Sequence, residues 1–249
     1  MTTRPVFLPS PGRTLAREEN VEFLWSPGFA ASQKRKNVEA LHKEAKLLLH
    51  KEAKLLDVDK TILEVSTRSS EQLGRDLSAF NLMVKVEERS ATVSVEAAFQ
   101  SSKVFKEAGL QSHLLDLADG REIKRRIRSL GDQELIGFKY DSEPWPLYPP
   151  TAMYDYIYLK ALTQLVSKQR QLEKRIMAFD AFTDIEFNPK KSLSCQARTC
   201  ALFIGLGGLK PVQQLLADPS AFRAHLVKHR YGPKSPLPEP AHDTLFKDL

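Results

Sequence analysis

Glu96, Gln100 and Lys103 stand at i, i+4 and i+7, a spacing that places three side chains on one face of a helix. A carboxylate, an amide and an amine grouped this way could hold a polar ligand, with the carboxylate exchanging a proton or facing positive charge. Taken alone, the triplet reads more simply as a solvated polar stripe, and Glu96 as an ordinary first-turn acid. Asp184, standing between apolar runs, reads by itself as a turn residue or an N-cap.

Two basic groups invite anions. The run Lys124, Arg125, Arg126, Ile127, Arg128 could contact phosphates or form an exposed helix face, and Lys190 and Lys191 follow Asn188-Pro189 as paired ammonium groups or loop charges. Other patterns carry less. His225 and His229 are four apart, but no HExxH pattern or nearby cysteine completes a zinc set, so no metal is expected. The stretch Gly205-Leu206-Gly207-Gly208 lacks the preceding strand and third-glycine spacing of a dinucleotide loop, and reads as a helix stop. Cys195 and Cys200, the only cysteines, suit a reducing cytoplasm better than a disulfide framework.

Several elements must position these residues. Ser94 is a candidate N-cap for the Glu96 helix and Gly109 its candidate stop, after a hairpin from FNLMVKV and ATVSV that spans residues 79–95. Short strands are expected at Val21 to Trp25 and Ile62 to Val65, and Pro5 and Pro9 interrupt the start MTTRPVFLPSPGR before a signal-like apolar stretch can build. Helices are expected from about Ser32 to Leu56, from Thr151 beyond Leu165, and from Cys195 to Leu206. The first contains a tandem copy, HKEAKLL at 42–48 and again at 50–56. Eight residues turn a helix by about 800°, so the second copy faces roughly 80° away from the first. With seven Lys/Arg against three acids over Ser32 to Leu56, this helix reads as a basic solvated face over a leucine stripe.

The 249 residues, 42% of them hydrophobic, suffice for a packed core. No run of 18 apolar residues occurs, and none resembles a signal peptide, which predicts a cytoplasmic protein without a membrane span. A net charge of +6 makes a polyanionic partner plausible without specifying one. The chain divides into an N-terminal β/helical segment at 1–70, a core at 71–230, and a Pro-rich tail at 231–249. The expected fold is α+β, predominantly helical with a small β-sheet.

Three blocks together resemble the NADAR (YbiA-like) domain family: LSAFNL at Leu77 to Leu82, SVEAAFQSSKVF at Ser94 to Phe105, and AFTDIEFNPKKSLSCQAR at Ala181 to Arg198. With SEPWPL around Trp145 and the WSPGF start, the likeness points to the branch that accompanies DarT-type DNA ADP-ribosyltransferase toxins, and it spans roughly Val6 to Leu216. It departs from the family pattern at Ala79 in the entry block, at Ala98-Phe99 in place of an aromatic pair, and at Pro144 before the tryptophan.

The resemblance implies an antitoxin that removes ADP-ribose from guanine bases of DNA by N-glycosidic hydrolysis, with water and no cofactor, and a cognate toxin as partner. Such cleavage develops oxocarbenium character at C1″, so Glu96 and Asp184 are the implied carboxylates, their division of labour open. Lys103 would assist the leaving group, anchor phosphate, or attack an opened ribose aldehyde. Trp145 would stack a base, although it reads equally as a buried aromatic. Gln100, Ser78, Phe80, Asn188, Lys190 and Lys191 would bind substrate, and Lys124, Arg125 and Arg128 would contact the nucleic acid. Two rivals stand beside this reading: a non-catalytic DNA- or toxin-binding module that recognises ADP-ribose, and a small-molecule N-glycosidase acting on riboflavin intermediates.

Overall fold

A computed structural model describes residues 1–28, 30–53, 60–89, 91–117 and 119–233. Most of the Pro-rich tail, and the end of the second HKEAKLL copy, lie outside them.

The N-terminal strand β1 (Thr2–Ser10) forms despite its two prolines and pairs along its whole length with β2 (Leu15–Phe23). Pro5 and Pro9 are four apart, so their missing N–H groups fall on one edge of the strand. Burial alternates with the pleat: Val6 and Leu8 face one apolar cluster, Phe7 the other. β3 (Ile62–Glu64) and β10 (Ala181–Thr183) complete this sheet in the order β2-β1-β10-β3, with β10 antiparallel to β1 and parallel to β3. Segments far apart in the chain therefore share one sheet.

Helix α1 (Ala31–Ala53) covers that sheet with the stripe Val38, Leu41, Ala45 and Leu49. Ser32, expected as its N-cap, lies inside its first turn. α2 (Gln72–Asp76) leads to the hairpin of β4 (Met83–Val86) and β5 (Ala91–Ser94), which forms as the alternation predicts. Ser94 caps α3 (Val95–Ser101), its side chain accepting from the Ala97 N–H at 3.2 Å.

The expected stop at Gly109 is overturned. α3 ends at Ser101, where the hydroxyls of Ser101 and Ser102 donate to the carbonyls of Ala98 and Phe99 and compete with further helical bonds. The chain continues as β6 (Lys103–Phe105) and β7 (Gly109–Leu110), which join β8 (Leu135–Tyr140) and β9 (Glu143–Trp145) in a third sheet of order β7-β6-β8-β9. The single small sheet expected from sequence is thus three separate ones.

Between β7 and β8 lies α4 (Gly120–Ser129), capped by Asp119. α5 (Ala152–Lys168) is apolar on nearly every face and runs through the larger core, as a helix without a polar side must. α6 (Arg170–Met177), α7 (Gln196–Gly205), α8 (Leu209–Leu216) and α9 (Pro219–Lys228) pack around it. The glycine stretch after α7 is the helix stop expected, with Gly207 and Gly208 at φ +95° and +84°. Among the described residues no helix is long and apolar enough to cross a membrane.

Candidate active site

Glu96 sits in the first turn of α3, 6% exposed, where the helix N-terminus favours a carboxylate. α4 meets this turn end-on. A Cβ on Gly120 would lie 2.9 Å from the Ser94 hydroxyl, so the bare glycine permits the approach that delivers Lys124. Lys124 Nζ lies 2.8 Å from Glu96 Oε1, and Gln100 Nε2 donates to the same oxygen at 3.0 Å. Among the described residues nothing bonds Oε2, which is left for a ligand. Because Gln100 points its amide nitrogen at a carboxylate, its Oε1 is fixed toward the interior and has no partner; the Ser78 hydroxyl is likewise buried and unpartnered. Buried polar atoms of this kind are met by ordered water or by a bound molecule.

These groups line a cavity of about 680 Å³. Lys103 enters it from β6 rather than from the helix face its spacing suggested, and β6 carries it over the Phe99 ring at 5.4 Å. Burial pushes the Lys103 ammonium down to about 8; the Glu96 charge opposes this and Lys124 adds to it.

Another part of the wall is built from the residues that follow β10. Asp184 Oδ1 accepts from the backbone N–H groups of Glu186 and Phe187 at 3.0 and 3.2 Å, and Oδ2 accepts from Gln196 Nε2 at 3.0 Å. Burial raises the Asp184 carboxyl well above the ordinary carboxylate range, and the neighbouring Glu64 charge raises it further. Gln196, the first residue of α7, also accepts from the Ala79 N–H at 2.7 Å, while the Ala79 carbonyl accepts from the Glu96 N–H at 2.8 Å. One peptide strand, Ser78-Ala79-Phe80, therefore ties the two carboxylates together.

The remaining candidates divide. Phe80 lines the cavity under Arg121 and Lys124, whose charged ends lie 5.5 and 5.4 Å from its ring. Asn188, Lys191 and Arg128 line the cavity, and the Asn188 side chain also holds its own turn by accepting from the Lys190 N–H. Lys190 is exposed and does not line it. Arg125 points to solvent and pairs with Glu122. Lys124 departs from its expected place at a nucleic-acid surface: it is spent on Glu96.

Trp145 requires the larger correction. Paired in register with Phe138, it turns inward and is fully buried, 4.7 Å from the Tyr156 ring and 4.8 Å beneath Arg223. No face is open for a base. Apolar surface in the cavity comes instead from Phe99, Phe138, Pro146, Leu147 and Met153. Spacing had pointed to none of these, nor to Gln196 or Tyr154, although Gln196 stands within the block that carried the resemblance. Among the described residues no three His, Cys, Asp or Glu side chains are grouped to hold a metal.

An α+β protein with a cavity lined by two buried carboxylates and by lysines is the class these observations define. More particularly, the model of the NADAR-DarT1 family, described as DarT1-associated NADAR antitoxins, matches residues 2–235, and the chain belongs to that family. A comparison with curated proteins gave no match.

Proposed function

We propose that this antitoxin removes ADP-ribose from guanine bases of DNA by hydrolysing the N-glycosidic bond at C1″. The observation that carries the reading is that Glu96 and Asp184 line one cavity and are linked through Ala79 and Gln196. An oxocarbenium-like transition state is stabilised by a carboxylate, and its leaving nitrogen by an acid. The ion-paired Glu96, with Oε2 open, is the carboxylate that faces C1″ or directs water. Asp184, whose environment favours the protonated form, is the acid. Arg128 and Lys191 supply charge for the pyrophosphate.

Lys103 favours a covalent variant of the same cleavage. A lysine held near 8 is partly neutral at working pH. When the ribose ring opens, guanine remains joined to C1″ as an imine; the Lys103 amine adds there, guanine departs with its nitrogen protonated, and water releases the lysine imine as ADP-ribose aldehyde. The partner under this proposal is ADP-ribosylated DNA in the cytoplasm, and a cognate DarT-type toxin writes the mark that is erased. Release of free ADP-ribose from an oligonucleotide carrying ADP-ribosyl-guanine tests the assignment, with Glu96→Gln as the control.

A further inference from the structure

We infer that Glu64 is a positioning residue of this site, its carboxylate clamping the residues on both sides of Asp184. Glu64 is the last residue of β3 and lies in parallel register with Thr183, the last of β10. Its Oε2 accepts from the Thr183 hydroxyl at 2.7 Å, and its Oε1 accepts from the Ile185 N–H at 2.9 Å. Asp184 is the residue between. The Ser66 hydroxyl donates to Oε1 at 2.6 Å, and the Val65 N–H donates to the Thr183 carbonyl at 2.7 Å, so the clamp is anchored along β3. Such a buried carboxylate, 2% exposed and, among the described residues, without a countercharge within hydrogen-bond reach, is costly unless it does something the fold needs.

The clamp reaches outward as well. His42, in the first HKEAKLL copy, places Nε2 2.8 Å from the Thr183 hydroxyl, and burial pushes its imidazole down to about 4. A neutral His42 therefore packs α1 onto the strand that ends one residue before Asp184. A close approach completes the arrangement, because a Cβ on Gly74 of α2 would stand 2.0 Å from the Glu64 carbonyl oxygen. The consequence for chemistry is electrostatic. Burial raises both the Glu64 and the Asp184 carboxyl above the ordinary range, and the Glu64 charge raises Asp184 further. The charged groups around them are Glu186, which pairs with Arg68 at 3.1 Å and Lys34 at 3.9 Å, and Arg4, whose charge acts on Asp184.

This inference rests on the proposed hydrolysis for its kinetic readout and on titration for an independent one. Carboxyl-13C NMR would follow Asp184, assigned with Asp184→Asn, in the full chain and in Glu64→Gln, Thr183→Val and Thr183→Ser. Glu64→Gln is expected to move the Asp184 midpoint down by about a unit or more, and the alkaline limb of the cleavage profile with it. Thr183→Val is expected to lower kcat about tenfold or more with KM kept, and Thr183→Ser to restore it. A folded Glu64→Gln protein with an unmoved midpoint and wild-type kcat overturns the clamp. Should Glu64→Gln not fold, the two Thr183 variants decide: equal kcat in both overturns it. If the wild type cleaves nothing, the hydrolase proposal fails, and the Asp184 midpoint in Glu64→Gln still decides the clamp.

Discussion

Lys124 holds its ammonium 2.8 Å from Glu96 Oε1, on the oxygen that also accepts from Gln100, so one half of the Glu96 carboxylate is committed to the protein and the other half is open. That asymmetry fixes the direction in which Glu96 can act. It also explains why α4 carries a lysine inward at this turn while its neighbour Arg125 pairs with Glu122 in solvent.

Gln196 is expected to matter more than a single pair of hydrogen bonds suggests. Gln196→Ala leaves the Ala79 N–H and Asp184 Oδ2 without partners and unties the two walls. The loss in stability should be about 1 to 3 kcal/mol by denaturant titration, and cleavage should fall by a larger factor than ADP-ribose affinity. Equal losses in both would reduce Gln196 to a structural role.

If cleavage follows the proposed covalent route, Lys103 should set its pH dependence. Its ammonium is pushed down to about 8, so the neutral amine accumulates as pH rises through that value and activity should rise with it. Lys103→Met should lose that limb and about a hundredfold in rate. Cyanoborohydride added during turnover should leave ADP-ribose attached to the wild type and not to the variant. A rate that falls through pH 8, with no trapped adduct, would give Lys103 the work of an ammonium instead.

How much of this was legible in the sequence differs residue by residue. Glu96 and Gln100 are four apart on a capped helix, so their contact follows from local geometry. Lys103 was placed in the site by a periodicity that does not hold; the chain leaves the helix at Ser101, and strand pairing with Phe138 returns the side chain to the same cavity. Trp145 misled because an aromatic beside prolines carries no sign of which face of its strand is inward; the pairing with β8 decides that. Glu64 was invisible for a different reason. Its partners Thr183 and Ile185 are 119 and 121 residues away, and the parallel pairing of β3 with β10 that joins them leaves no local pattern.

Asp155 gives a prediction about the scaffold. It is fully buried on α5 and accepts from Thr151, Thr199 and Tyr231, yet burial outweighs those bonds and lifts its carboxyl to about 6 from an ordinary 3.8. Since the folded value lies above the unfolded one, the folded chain holds the proton more tightly. The stability this confers is complete below about pH 4 and is lost as pH rises through about 6. Two pH units correspond to about 3 kcal/mol. Denaturant titrations of wild type and Asp155→Asn at pH 4.5 and 7.5 should show the variant gaining relative to wild type at the higher pH; a constant gap would mean Asp155 titrates as an ordinary carboxyl.

The most direct test is cleavage itself. The purified protein would be incubated with a DNA oligonucleotide carrying ADP-ribosyl-guanine, beside Glu96→Gln, with released ADP-ribose followed by mass spectrometry. Release by the wild type, reduced about a hundredfold or more in Glu96→Gln, is the result predicted. No release by either protein, with the modified DNA retained, would contradict the hydrolase and leave a module that binds the mark without removing it.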